Sequence, residues 1–82
     1  MKRIILLAPA VAAMRKHRKM AERIGSKLTA YAESPASVAN QVTELRGLPF
    51  KRLRVGDFRI LFEETETEII VSDIGPRGSI YK

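Results

Sequence analysis

Three arginines fall close together in the stretch RLRVGDFRILFE (52–63), at Arg52, Arg54 and Arg59. Guanidinium groups make planar, forked contacts with phosphate oxygens, which the point charge of lysine does not. The acidic residues that follow are mostly collected at 63–68, so these arginines lack obvious partners nearby in the chain. The set is therefore either a solvated charged surface or a site for phosphate groups.

Two further residues of interest lie in the last segment, GPRGSIYK (75–82). Arg77, in the loop after the last predicted strand, can reach the same face as the three arginines. Tyr81 could simply rest on the surface with its hydroxyl in water. Cations close to a tyrosine favour the phenolate and lower its pKa, so Tyr81 becomes chemically interesting if the tail folds back over the arginines.

Other catalytic chemistries have little support in the sequence. The chain has one histidine and no cysteine. We expect His17, within RKHRK, to be an exposed helix residue rather than a catalytic base. Neither a glycine-rich phosphate loop nor a Ser–His arrangement is visible, so we expect no cofactor and no metal.

Charge is unevenly distributed along the chain. Residues 1–59 carry 13 basic and 4 acidic groups, and residues 60–82 carry 2 basic and 5 acidic groups, which together give the net charge of +6. A basic body of this kind predicts a polyanionic partner, either nucleic acid or an acidic protein segment. Simple solubility is the alternative.

The first part of the chain predicts a strand and a helical pair. KRIILL (2–7) is a short β-branched run before Pro9, and proline suits the first turn of a helix. Apolar residues then recur at helical spacing, at Ala21, Ile24, Leu28 and Tyr31. We expect this stripe to pack on a sheet, with Gly25 allowing close approach.

The start, MKRIILLAPAVAAM, also has the basic and apolar parts of a secretory signal. Its apolar run is short, however, and RKHRKM follows at once. A membrane-spanning helix needs about 20 apolar residues, which this run does not have. We therefore expect this segment to be part of the folded domain. We also expect that the protein does not contact membranes and that it is cytoplasmic.

The rest of the chain predicts strands. Pro35 interrupts the helix, a short helical turn through 36–44 follows, and 46–49 is a loop. Three strands are predicted, at 50–55, 58–64 and 68–74. The order β-α-α-β-β-β over 1–82 predicts a single α+β domain, with a helical hairpin packed on one face of a small, mainly antiparallel sheet.

Strand alternation indicates where the arginines point. Alternate residues of a strand share a face, so if Leu53 and Val55 face the helices, Arg52 and Arg54 face away. Arg59 joins them if its apolar neighbours in the next strand belong to the core. The three arginines would then converge on the exposed side of the sheet.

The run LRGLPFKRLRVGDFRILFE, followed by an acidic turn and EIIVSDIGPRGSIYK, resembles the C-terminal half of the RelE/ParE superfamily. These are the small toxins of type II toxin–antitoxin modules. The start of the chain agrees more loosely, and 44–82 is the strong part. The resemblance implies a fold with two N-terminal helices on a small sheet.

The RelE-like branch consists of ribosome-dependent endoribonucleases that cut mRNA in the ribosomal A site without a metal. By this resemblance, Arg59 contacts the scissile phosphate, and Arg77 stabilises charge in the transition state or on the leaving oxygen. Tyr81 is implied as the general base for the 2′-hydroxyl. Arg52, Arg54 and the neighbouring Lys51 are implied to hold the RNA backbone.

The resemblance also implies partners. A cognate antitoxin, usually encoded next door, would neutralise the toxin by contact or by displacing the tail at 75–82. Operator DNA would be bound only through the antitoxin.

Two other functions remain open at this point. ParE-like members share the architecture but inhibit DNA gyrase and generally lack the arginine and tyrosine set. A non-catalytic RNA- or ribosome-binding module would need only the basic sheet.

Overall fold

The computed structural model describes residues 1–76 of the 82-residue chain. Strand β1 (Arg3–Leu6) is followed by helices α1 (Ala8–Lys16) and α2 (Arg18–Glu33). A 3₁₀ segment then leads into four strands. Their bounds are Pro35–Gln41 for the 3₁₀ segment, Val42–Glu44 for β2, Phe50–Val55 for β3, Phe58–Glu64 for β4 and Glu68–Pro76 for β5.

The five strands form one mixed sheet in the order β1-β5-β4-β3-β2. β1 runs parallel to β5, whereas the other three neighbouring pairs are antiparallel. The predicted α+β class is confirmed, as is a mainly antiparallel sheet that follows two N-terminal helices. The chain leaves the edge strand β1 through the two helices and returns to the sheet at β2. Parallel strands such as β1 and β5 need a long crossover connection of this kind, because a tight turn cannot join them.

One strand was not predicted. The helical turn expected over 36–44 is present as the 3₁₀ segment up to Gln41, but β2 takes its last three residues. Val42 lies opposite Leu53 of β3 and packs against the core. Pairing with β3 therefore outweighs the local helical tendency, and β2 becomes an edge of the sheet.

The hydrophobic core lies between the helices and one face of the sheet. From α2 it contains Ile24 and Leu28, both at most 2% exposed. The sheet contributes residues that alternate along β3, β4 and β5, namely Leu53, Val55, Ile60, Phe62, Ile69, Val71 and Ile74. Because both helices cover this face, the outer face of the sheet carries the residues between these positions.

The two helices meet at His17, which interrupts helical geometry with φ −110° and ψ 58°. Its ring is half-buried and lies edge-on to Phe58 of β4, with ring centroids 4.8 Å apart. The expectation of an exposed helix residue is therefore wrong. The aromatic contact holds the α1–α2 corner against the end of the β3–β4 hairpin.

Gly25 does not bring α2 close to the sheet. A Cβ placed on this residue would meet no atom of another element within 4 Å. The expectation of close approach is therefore wrong, and the glycine leaves unfilled space beside the helix.

No helix within residues 1–76 combines the length and the hydrophobicity needed to cross a lipid bilayer.

Candidate nucleic-acid interface

The β3–β4 hairpin turns through two residues, Gly56 and Asp57, and Val55 pairs with Phe58 on either side of them. Gly56 has φ +58°, which suits the first central position of a type II′ turn and which glycine adopts without strain. The tight turn fixes the register of the two strands. A slip of one residue would move the arginines into the core, so the buried face enforces the same register.

Arg54 and Arg59 are directly opposite each other in this register. Their neighbours Leu53, Val55 and Ile60 are at most 1% exposed, so the two arginines point to the outer face. Arg52 shares that face, since it alternates with Leu53. We call these three residues, Arg52, Arg54 and Arg59, the arginine face.

Like charges placed directly opposite each other destabilise a sheet. Arg54 is exposed, and within residues 1–76 neither it nor Arg59 forms an ion pair. The charge of this pair is therefore not neutralised by the described part of the fold. An anion seated between the two guanidinium groups would relieve their repulsion.

Arg59 is held in place by the turn itself. Its Nη1 donates hydrogen bonds to the carbonyl oxygens of Gly56, at 3.2 Å, and Phe58, at 3.1 Å. Both hydrogen bonds use Nη1, so Nε and Nη2 of Arg59 take no part in holding the side chain at the turn. A guanidinium fixed at one nitrogen can present its remaining donors to a ligand with little loss of conformational entropy.

The outer face contains two features that the sequence analysis missed. On the β5 side, Arg59 lies opposite Gly75, which has no side chain to cover it. Asp73 lies opposite Leu61, and Leu61 lies opposite Arg52, so Asp73 and Arg52 occupy the same row of the sheet with Leu61 between them. The Asp73 carboxylate accepts a hydrogen bond from the backbone N–H of Ile74 at 2.8 Å.

A register shift in the β4–β5 pair explains why these residues were missed. Leu61 pairs with Asp73, but the next residue, Phe62, pairs with Val71, so one residue of β5 is extra. Beyond this bulge the faces of β5 exchange relative to simple alternation. Strict alternation from the buried Ile69 would therefore place Asp73 on the helix-facing side, whereas the bulge places it on the outer face.

Lys51 is not brought together with the arginine face. It alternates with Arg52 and shares the helix-facing side with Leu53, at the open end of the core. Its Nζ donates to Oε1 of Glu64 at 2.8 Å and lies 3.4 Å from the hydroxyl of Tyr31. The hydrogen bond to Glu64 is the largest effect raising the pKa of Lys51.

Glu64 is the centre of this cluster. Its Oε1 accepts a hydrogen bond from the Tyr31 hydroxyl at 2.5 Å, and its Oε2 accepts one from Nζ of Lys2 at 2.7 Å. Burial alone would raise the pKa of the carboxyl group. The hydrogen bonds from Lys2, Lys51 and Tyr31 outweigh burial and lower the pKa to about 2.

Tyr31 takes the opposite shift. Burial, followed by its hydrogen bond to the Glu64 carboxylate, raises the pKa of the phenol. This tyrosine is therefore a hydrogen-bond donor and not a base. The cluster ties α2, β3, β4 and the residue before β1 together through charged and polar groups, and it lies on the helix-facing side of the sheet.

Arg77 and Tyr81, the other two predicted catalytic residues, lie outside the described residues. Among residues 1–76, no three histidine, aspartate or glutamate side chains come together in a group that could hold a metal ion.

Solved structures with the same fold are toxins of toxin–antitoxin systems. RelE in the archaeal RelE–RelB complex from Pyrococcus horikoshii OT3 has a TM-score of 0.77 and 20% identity over 95% of this chain and 97% of that one. A mutant of YafQ from E. coli has a TM-score of 0.78 and 10% identity over the full length of both chains. A chain of the RelBE2 toxin–antitoxin complex from Mycobacterium tuberculosis has a TM-score of 0.60 and 17% identity over 93% and 98%.

No family profile and no curated protein sequence matches the chain. At the identities above, the likeness is one of fold. The fold is RelE-like, and the resemblance found in the sequence is confirmed at that level.

Proposed function

We propose that this RelE-like chain is the toxin of a type II toxin–antitoxin module and an endoribonuclease acting on ribosome-bound mRNA in the A site. The observation that carries the proposal is the Arg54–Arg59 pair on the outer face of this fold. Two arginines at opposed positions on one face, one of them anchored by its guanidinium group, suit the phosphate of an RNA strand.

In the proposed reaction the ribose 2′-oxygen attacks the adjacent phosphorus, and the bond from phosphorus to the 5′-oxygen breaks. Tyr81 takes the proton of the 2′-hydroxyl. The leaving 5′-oxygen takes a proton from water and becomes a 5′-hydroxyl, while the other product carries a 2′,3′-cyclic phosphate, which a water molecule can open to a 3′-phosphate. No oxidant, reductant or metal is needed to balance this step.

The arginines supply electrostatic stabilisation. Negative charge builds on the phosphoryl oxygens during the attack, and fixed cations at that position stabilise it without reorganisation. Arg59 contacts the scissile phosphate, Arg77 supports the transition state or the leaving oxygen, and Arg52 and Arg54 hold the backbone. Lys51 has no part in this arrangement because the Glu64 carboxylate holds it on the helix-facing side.

The proposed partners are the ribosome, its mRNA and an antitoxin. Two of the structural neighbours are complexes of a toxin with its antitoxin. We propose that an acidic antitoxin segment neutralises this chain, by covering the arginine face or by displacing the segment after Pro76, and that the antitoxin alone binds operator DNA. The proposed location is the cytoplasm, where ribosomes are found.

Induced expression in bacteria tests the function. RNA from induced cells is mapped for new 5′ ends, for the wild type, Arg59→Ala and Tyr81→Phe. We expect cuts confined to translated frames and growth arrest with the wild type, and neither with the two variants.

Growth arrest retained by both variants would rule out this mechanism. Intact mRNA together with cleaved chromosomal DNA would indicate gyrase as the target. Tolerated expression, with RNA affinity that survives Tyr81→Phe, would indicate a binding module without catalysis.

A further inference from the structure

Within residues 1–76, the outer face of the sheet carries one aromatic ring, that of Phe50 at the start of β3. Strand alternation places Phe50 on the same face as Arg52 and Arg54. Its ring is half-buried and contacts no other aromatic ring of the described residues. The other two phenylalanines are on the helix-facing side, where Phe62 belongs to the core and Phe58 packs against it.

Glu63 is the neighbour of Phe50 on the outer face. The two residues lie directly opposite each other in the β3–β4 register, and such pairs have Cβ atoms about 5 Å apart. Glu63 is half-buried, and its side chain forms no ion pair or hydrogen bond with another residue of the described chain. Its carboxylate oxygens can therefore accept hydrogen bonds from a ligand.

The charges of the outer face limit where an RNA strand can run. The end near the hairpin turn is basic, because Arg54 and Arg59 are opposite each other there. Farther from the turn, the carboxylates of Glu63 and Asp73 repel phosphate groups. Phe50 lies about 14 Å from Arg54 along β3, at two residues of strand for every 7 Å or so. A strand with its phosphates at the two arginines therefore brings a base, and not a phosphate, to Phe50.

An aromatic ring beside cations is the arrangement that single-stranded RNA sites use. The cations hold the backbone and the bases stack on the ring, with little preference among them, because every base has a π face. A carboxylate adds a preference, since it accepts hydrogen bonds and donates none. The amino group of cytosine can donate to a glutamate, whereas uracil presents a carbonyl oxygen at the equivalent position.

We propose that Phe50 stacks a base of the mRNA close to the scissile phosphate, and that Glu63 accepts a hydrogen bond from the amino group of that base. The site favours bases with an amino group, namely cytosine, adenine and guanine, and disfavours uracil, whose O4 would face the carboxylate. This inference rests on the proposed function in one respect, which is that the arginine face holds single-stranded RNA. It adds a base-recognition site to a face that otherwise contacts only phosphates.

Fluorescence anisotropy with the full chain measures both roles. The probes are two short labelled 2′-O-methyl oligonucleotides, one of cytidine and one of uridine, which cannot be cleaved by 2′-hydroxyl attack. Phe50→Leu removes the aromatic ring, and Phe50→Tyr is the matched variant that keeps it. Glu63→Gln removes the carboxylate, and Glu66→Gln removes the same charge from an exposed position between β4 and β5.

The Phe50 variants test the stacking. We expect Phe50→Leu to bind both probes more weakly by about fivefold or more, and Phe50→Tyr to bind them like the wild type. Unchanged binding in Phe50→Leu would overturn the stacking and leave this part of the face to a protein partner. An equal loss in Phe50→Tyr would also overturn it, since the ring is then not what matters.

The Glu63 variant tests the preference among bases. We expect the wild type to bind the cytidine probe about tenfold more tightly than the uridine probe. Glu63→Gln should reduce this ratio, because a glutamine amide can donate to O4 of uracil, and Glu66→Gln should keep it. A wild type without the preference, or an equal change of the ratio in both variants, would overturn the role of Glu63.

These outcomes are separate from those of the proposed function. A chain that cleaves no mRNA but shows the expected affinities would contradict the ribonuclease and leave the base-recognition site standing. A chain that cleaves mRNA and binds both probes equally well with and without the Phe50 ring would do the reverse. Thermal unfolding of each variant, followed by circular dichroism, confirms that it is folded.

Discussion

Arg54 and Arg59 face each other across the β3–β4 hairpin, one residue from the turn, on the side of the sheet that the helices leave open. Arg54 lies between the buried Leu53 and Val55, and Arg59 lies between the buried Ile60 and Phe58, which packs against the core, so neither arginine can turn away to the other face. The hairpin thus holds two like charges together at the expense of its own stability. Guanidinium groups placed on one face in this way are suited to binding an anion.

Replacing Arg54 should change the stability of the fold and the affinity for RNA in opposite directions. In Arg54→Gln the repulsion from Arg59 is gone, and we expect the free energy of unfolding to rise by about 0.2–1 kcal/mol. RNA affinity should fall, because the phosphate contact that we propose for Arg54 is lost. Urea denaturation measures the first effect and anisotropy the second, with Arg46→Gln as an exposed control. A less stable protein would show that Arg54 supports the fold.

Glu64 should make the stability depend on pH. Its pKa is about 2 in the folded protein and 4.5 in its ordinary state, so its contribution is complete above pH 4.5. That contribution is lost as the pH falls from 4.5 towards 2, since the folded carboxylate must then be protonated. The lowered pKa of Glu64 corresponds to about 3 kcal/mol of folding stability at most. Urea denaturation at several pH values between 2 and 7 measures the loss.

The variant Glu64→Gln is the matched test of this cluster. It leaves Lys2 and Lys51 without their carboxylate, and we expect about 1–3 kcal/mol less stability at pH 7. The dependence on pH below 4.5 should also become weaker. Glu63→Gln, a change on the opposite side of the same strand, should stay within about 0.5 kcal/mol. Equal pH curves for Glu64→Gln and the wild type would refute the role of this carboxylate.

Two glycine substitutions should have opposite effects. Gly25→Ala puts a methyl group into empty space on α2, and we expect up to about 1 kcal/mol of added stability from helix propensity. Gly56→Ala forces an alanine into φ +58°, which should cost about 1 kcal/mol or more. Thermal unfolding of both variants checks this. A loss of stability in Gly25→Ala would mean that the space beside α2 is needed.

The arginine face could be predicted from the sequence because it follows from local rules. The glycine turn sets the register of β3 and β4, and the alternation of Leu53 and Val55 with Arg52 and Arg54 assigns the faces. The same alternation separates Lys51 from the arginines. The role implied for Lys51 came from the family resemblance, whereas strand alternation places this residue opposite the buried Phe62 on the helix-facing side.

Other parts of the structure depend on distant contacts. Tyr31 and Glu64 are 33 positions apart, and no local pattern joins them. The strand Val42–Glu44 is too short to give a period and forms because β3 offers it an edge. The bulge in β5 depends on how that strand fits both β1 and β4, so the position of Asp73 could not be read from its own neighbours.

Cleavage of mRNA on purified ribosomes is the most direct test of the central claim. The measurement compares the wild type with Arg59→Ala and with Arg46→Ala, an exposed arginine away from the arginine face. We expect the wild type and Arg46→Ala to cut the mRNA in the A site and leave 5′-hydroxyl ends, and Arg59→Ala to be slower by about 100-fold or more. Uncut mRNA with the wild type, or equal rates for a folded Arg59→Ala, would contradict the account.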